Sequence, residues 1–299
     1  MHRTASFFIL FSFICSLSAQ FPVALAQELQ SILDERVNFG GDHGLAGSVI
    51  LADGSEWHGQ AGVDGSGNPI TDSTVFHGAS VLKTHVAACL MLLAEEGLVS
   101  LDDSWSNYVN LDVEFYPEIT IRQLLSNTSG IADYLEIAGV GEIVTTDLNH
   151  FWAPEELLEE VVNQTPDFLP GFNFHYSSSN FVLAGLIIEA VSGNGLYEEL
   201  RARIWQPLGL EHTYGGAYEE YAEPRAGVWW NFTGSYDNWS SLPETSMLSF
   251  AYGCSGIVST PSDQVKFINA LLGGNLVSDS SLEQMHDFSP FSFDDWSAG

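Results

Sequence analysis

Phe76-His77-Gly78-Ala79-Ser80-Val81-Leu82-Lys83 is the stretch on which the fold turns. Lys83 is one of only two lysines in the chain, the other being Lys266, and it stands three residues after Ser80. The largely apolar run Val86 to Leu93 follows, and Glu95-Glu96-Gly97 ends it with a glycine suited to a helix C-terminus. The pattern predicts a buried helix with Ser80 in its first turn and Lys83 one turn along on the same face. A serine hydroxyl is a weak nucleophile and needs a neighbouring base. A lysine partly buried beside it can serve as that base. The helix N-terminus adds positive potential where a serine oxyanion would form. The S-x-x-K spacing therefore makes Ser80 the candidate nucleophile and Lys83 its activating partner.

Upstream of this stretch, residues 1–26 read as a secretory signal peptide. His2 and Arg3 form a short basic start, Phe7 to Leu17 is apolar, and Ala24-Leu25-Ala26 is a small-residue cleavage site. The apolar run is too short and too broken by serine for a membrane span. The mature chain is expected to begin near Gln27 and to work in the periplasm or outside the cell. Without the leader, Cys89 and Cys254 remain. Cys89 falls inside the apolar helix, where a free buried thiol is the simpler expectation than a disulfide.

The chain of 299 residues carries 39 acids against 8 Lys and Arg, a formal charge of −31. A nucleic-acid partner is excluded on this balance, and anionic lipid surfaces are disfavoured. The acids are dispersed rather than gathered in a tail, as expected of a solvated, self-repelling surface. Adaptation to salty water, where ions screen that repulsion, is a second reading. The nine histidines are scattered, no His, Cys and acid cluster has metal-ligand spacing, and no cofactor is expected.

Gln27 to Val37 reads as an amphipathic helix. Leu45 to Leu51 and Glu56 to Val63 read as two strands around an Asp53-Gly54 turn. Residues 98–240 are expected to be mostly helix and loop. Thr120 opens a helical turn, Pro154 opens a helix over Glu155 to Gln164, and Asn180 to Val191 forms another closed by Gly193. Thr260-Pro261-Ser262-Asp263 caps a helix over Gln264 to Leu272. His212-Thr213-Tyr214-Gly215 reads as a turn, and the Trp- and Tyr-rich stretch 214–239 as a long ordered loop walling a cleft.

Four segments in order resemble the serine β-lactamase and DD-peptidase superfamily, especially its class C-like branch of esterases and D-Ala-D-Ala carboxypeptidases. They are Phe76 to Leu101; Gln123-Leu124-Leu125-Ser126-Asn127-Thr128-Ser129-Gly130-Ile131, with Asn127 in the usual histidine place; Phe174 to Gly185; and Gly256-Ile257-Val258-Ser259-Thr260-Pro261-Ser262-Asp263. The resemblance implies an α/β (α+β) fold: an antiparallel sheet flanked by helices, beside a mostly helical region over about 98–240, all within one domain over 27–299. It implies that Ser80 is acylated, that Lys83 activates it, and that Tyr176, in the place of the Y-x-N tyrosine, is general base or proton shuttle. Ser178 stands where the family usually has Asn. A hydroxyl offers less to a substrate amide than a carboxamide does, which leans towards ester substrates, with Asn180 as a second candidate substrate contact.

The family's third motif, H-x-G or K-T-G on a late strand, is not found between the last of these segments and Gly299. The last strands of the sheet, and one wall of the cleft, are therefore expected to be missing from this chain. A G-x-S-x-G elbow fails at both Ser80 and Ser255. His77 and His85 are expected to pack rather than react. Two function classes remain. One is an exported serine hydrolase forming an acyl-enzyme on an ester, a D-amino-acid peptide or a β-lactam, with a small-molecule or peptidoglycan-like substrate. The other is a non-catalytic, penicillin-binding-like module that binds or is acylated without turnover.

Overall fold

The structure is a computed structural model that describes residues 20–111, 118–137, 139–162, 164–230 and 237–287. In chain order its first elements are α1 (Val23–Phe39), β1 (Gly44–Ile50), β2 (Glu56–Gly62), β3 (Phe76–Ala79) and α2 (Leu82–Glu95). The helical region follows with α3 (Ile121–Leu125), α4 (Val140–Thr146), α5 (Pro154–Val162), α6 (Ser179–Ser192) and α7 (Leu196–Leu200). The last part holds β4 (Thr213–Tyr214), β5 (Trp229–Trp230), β6 (Asp237–Asn238), α8 (Thr245–Ser249), β7 (Ile257–Ser259), α9 (Pro261–Leu272) and α10 (Asp279–Met285). The apolar part of the expected leader, Phe7 to Leu17, lies outside the described residues.

The hairpin β1–β2 forms around the expected turn, with Ile50 opposite Glu56 and Gly44 opposite Gly62. Its turn is set by Asp53, whose Oδ1 accepts from the Ser55 backbone N–H at 2.9 Å, and by Gly54 at φ +80°. Helices α1 and α9 lie against this hairpin, as the sequence predicts. Helix α1 starts four residues earlier than expected. Pro22, at φ −60°, occupies the N-cap position, and nothing in Val23-Ala24-Leu25-Ala26 opposes a helix, so the small residues read as a cleavage site form its first turn.

A second antiparallel sheet has the strand order β3–β7–β4. Phe76 pairs with Ser259, and Thr213 pairs with the same Ser259 from the other side. The stretch around His212-Thr213-Tyr214 is therefore a strand edge, not the turn that its sequence suggests. Likewise, 214–239 is not loop throughout, because Trp229 and Trp230 pair with Asn238 and Asp237. Among the described residues, the larger of two hydrophobic cores gathers α2 and α6. Leu82, Val86, Leu90 and Leu93 from α2 meet Val182, Leu183, Ile187 and Ile188 from α6, all fully buried. Ser179 to Ile188 is buried without interruption, so α6 is hydrophobic on every side and sits in the middle of the molecule.

Candidate active site

Ser80 lies between β3 and α2. The pairing of β3 with β7 breaks between His77 and Ala79, a bulge that skips Gly78. A Cβ on Gly78 would stand 2.6 Å from Ile257 Cγ2, so only glycine fits there. The chain then turns sharply through Ala79 at φ +46°, a left-handed conformation costly for alanine. The result lifts Ser80 to an exposed position. Regular α2 begins at Leu82, so Ser80 stands just ahead of the helix rather than inside its first turn, its carbonyl accepting from the Lys83 N–H at 3.1 Å.

Lys83 is buried, 7% exposed. Its Nζ donates to the Cys254 carbonyl oxygen at 2.7 Å, to Ser80 Oγ at 3.3 Å and to Ser178 Oγ at 3.5 Å. An ammonium has three hydrogens, and each has an acceptor here. Tyr176 comes from the loop before α6, and its Oη donates to Ser80 Oγ at 2.9 Å. The Lys83 Nζ stands 4.8 Å from the centre of the Tyr176 ring and 5.5 Å from that of Phe181. The three residues that the sequence singles out for chemistry thus converge on one oxygen atom. Charge developing on the exposed Ser80 Oγ or on Tyr176 Oη faces the buried Lys83 ammonium.

The two proposed substrate contacts, Ser178 and Asn180, are both buried. Asn180 is fully buried. Its Oδ1 accepts from Ser129 Oγ at 2.6 Å and its Nδ2 donates to Asn127 Oδ1 at 3.1 Å. Both ends of its amide are therefore engaged inside the protein, one residue into α6 and turned away from the cleft. Ser178 is 1% exposed, and its hydroxyl serves Lys83 rather than an open surface. Asn127, in the family's histidine place, has φ +55°, and its Oδ1 also accepts from the Ser177 N–H at 3.0 Å. It ties the segment 127–131 to the loop that carries Tyr176.

Three partners escaped the sequence reading. The Cys254 carbonyl that anchors Lys83 is a backbone group and leaves no signature in the sequence. Tyr134 Oη donates to the Phe250 carbonyl at 2.5 Å and lies 3.2 Å from Cys254 Sγ, bracing that anchor. Asp133 is buried, and its Oδ1 accepts from the Leu135 N–H at 3.0 Å. Burial pushes the Asp133 carboxyl above its ordinary pKa, against hydrogen bonds from the Leu135 and Ser178 backbones and the charge of Lys83. Asp133 and Tyr134 follow Gly130-Ile131 with only Ala132 between, so the only cue was closeness to a motif.

On the Tyr176 flank, His175 Nδ1 meets Asp167, and its Nε2 lies 3.5 Å from Glu136 Oε2. On the Ser80 flank, His77 Nε2 lies 3.1 Å from Glu244 Oε2, which also takes Arg225 Nη1 at 2.5 Å. Cys89 and Cys254 are both buried and free, as the helix-core position of Cys89 predicts. His85 is fully buried against Phe267, with ring centres 3.6 Å apart.

Residues 29–298 match the Beta-lactamase family. Among curated proteins, a Bacillus subtilis (strain 168) protein named as a penicillin-binding protein, PbpX, is 30% identical over 236 residues. That match covers 78% of this chain and 54% of PbpX, so the chain spans about half the length of that relative. Among solved structures, the D-amino acid amidase of Ochrobactrum anthropi SV3 superposes with a TM-score of 0.76 at 29% identity, over 87% of this chain and 73% of that one. A D-stereospecific amidohydrolase of a Streptomyces species gives 0.75 at 29% identity, over 91% and 79%.

Proposed function

This chain belongs to the beta-lactamase family, and on that premise we propose that it is an exported serine hydrolase that forms an acyl-enzyme on Ser80. The observation that carries the reading is the meeting of Tyr176 Oη at 2.9 Å and Lys83 Nζ at 3.3 Å on the exposed Ser80 hydroxyl. In the reactive protonation state Tyr176 is a phenolate beside the Lys83 ammonium; Ser80 Oγ attacks the acyl carbon and its proton passes to Tyr176 Oη. The pair returns that proton to the departing alcohol or amine. Water then enters, gives a proton to the same pair and cleaves the acyl-enzyme, and the proton goes back to Ser80. Lys83 stays in place throughout because the Cys254 carbonyl holds it. The acyl donor is an ester, a D-amino-acid amide or peptide, or a β-lactam. Similarity to the two D-specific amide hydrolases supports the second of these. Export rests on the basic start and apolar run of the first 26 residues.

The test is covalent labelling with a fluorescent phosphonate, together with turnover of p-nitrophenyl butyrate. Ser80→Ala should abolish both. Labelling that survives in Ser80→Ala overturns the assignment. Labelling of the unaltered chain without any turnover would point instead to a penicillin-binding-like module that is acylated once.

A further inference from the structure

The charge of −31 comes with few cations, and the structure accounts for nearly all of them. Seven of the eight Lys and Arg fall among the described residues. Arg36 pairs with Asp42 at 2.7 Å, Arg122 with Asp102 at 2.9 Å, Arg201 with Glu219 at 2.6 Å and Arg225 with Glu244 at 2.5 Å. Arg203 is held between Glu96 and Glu199, and Lys266 stands 3.7 Å from Asp263. The seventh is Lys83, whose three donors all have protein acceptors. Among the described residues, then, every Lys and Arg is already matched by an acceptor of this chain.

The flanks of the site follow the same rule. His77 and His175, the histidines nearest in sequence to Ser80 and Tyr176, both face carboxylates. Around His175 two carboxylates, Asp167 and Glu136, answer one imidazole, and the Glu136 side chain is 64% exposed. A substrate carboxylate arriving at Ser80 would meet a strongly negative molecule and no unmatched cation among these residues to receive it. A cationic substrate is drawn in by the same field.

We propose that the Ser80 site selects neutral or cationic acyl donors and rejects those that carry a carboxylate near the reacting carbonyl. The proposal rests on the acyl-enzyme reading and narrows it. Simple esters and amides with a free amine fit, whereas donors with a carboxylate beside the scissile bond, penicillins among them, do not.

Three esters of one leaving group test it: p-nitrophenyl butyrate, the mono-p-nitrophenyl ester of glutaric acid, and p-nitrophenyl 4-(trimethylammonio)butyrate. At about 20 mM salt, kcat/KM should be at least about tenfold higher for the cationic ester than for the anionic one, with the neutral ester between them. At about 1 M salt the spread should collapse to about twofold, because screening then acts within about 3 Å. Glu136→Gln should narrow the low-salt spread. Equal rates for the three esters at low salt, or a spread that ignores salt, would overturn the proposal. Binding is read separately by titration calorimetry on Ser80→Ala, where no acylation occurs. There the cationic ester should bind at least about tenfold more tightly, and equal affinity for the anionic ester would sink the charge argument. Loss of neutral-ester turnover alongside charge-ordered binding would instead count against the hydrolase reading alone.

Discussion

Replacing Asn180 by leucine separates a buried structural amide from a substrate contact. Leucine keeps about the same volume but removes two hydrogen bonds, one from Ser129 Oγ at 2.6 Å and one to Asn127 Oδ1 at 3.1 Å. Asn127 Oδ1 still accepts from the Ser177 N–H at 3.0 Å, and Ser129 Oγ from the Ile131 N–H at 3.0 Å, but the buried Ser129 hydroxyl proton is left without its acceptor. The bond to Asn127 costs about 1–1.5 kcal/mol and the orphaned Ser129 donor about 1–3 kcal/mol. The sum is about 2–4.5 kcal/mol, and at about 2–4 °C per kcal/mol for a domain of this size Tm should fall by about 4–18 °C. The assay is thermal unfolding by circular dichroism beside ester hydrolysis at 20 °C, where the variant remains folded. KM should stay within about twofold of the unaltered chain. An unchanged Tm with a large rise in KM would refute this reasoning, because it would place the Asn180 amide in the cleft.

Lys83→Met should lower the rate of Ser80 labelling by about 10²–10⁴-fold or more, and Tm should fall by about 2–12 °C because the buried Cys254 carbonyl loses its donor at a cost of about 1–3 kcal/mol; unaltered labelling kinetics would remove Lys83 from the mechanism. His85 has its pKa pushed down to about 4 by burial, against the hydrogen bond its Nε2–H donates to Gln264 Oε1. Its Nδ1 already accepts from Trp205 Nε1–H at 3.2 Å, so a second ring proton has no place to go. The unfolded chain binds that proton first, so the stability His85 contributes is complete above about pH 6.5, falls as pH drops and is fully lost near pH 4, of order 3 kcal/mol in all. Tm measured from pH 7 to 4.5 should fall less steeply in His85→Phe, and parallel curves would count against it. For His175, burial lowers the pKa, but the hydrogen bond and charge of Asp167 and the charge of Glu136 outweigh it, and the net direction is upward. Its contribution to stability is complete below about pH 6.5 and is lost as pH rises through the raised value; an NMR titration of His175 with a midpoint below 6.5 would contradict this. Burial pushes the Cys89 thiol up to about 12 and raises that of Cys254 as well. Neither should react with a thiol reagent in the folded chain, and both should in denaturant; fast reaction of the native protein would show one of them exposed.

Local patterns were legible wherever neighbours in sequence decide the structure. Apolar spacing gave α2 and α6, the Asp53-Gly54 turn gave the hairpin, and Thr260 caps α9 as its side-chain chemistry suggests, accepting from the Asp263 N–H at 3.2 Å. The meeting of Ser80, Lys83 and Tyr176 was legible through motif spacing. What stayed hidden depends on distant pairing. β4 and β7 are two and three residues long, too short for any alternation to show, and they become strands only by pairing with partners far along the chain. The buried hydrogen bonds of Asn180 depend on Asn127 taking a left-handed backbone conformation, which a reading of residue types does not reveal. The acceptor that fixes Lys83 is a carbonyl, which every residue has.

The lysine anchor also bears on the order of folding. Lys83 and the Cys254 carbonyl lie 171 residues apart in sequence, and Ser80 and Tyr176 lie 96 apart. Helices α2 and α6 form from local contacts, yet the nucleophile's cation is not held until the segment around Cys254 closes across most of the chain. In refolding, helical circular dichroism should therefore recover ahead of Ser80 labelling. The interval between the two signals times the arrival of the 254–259 segment.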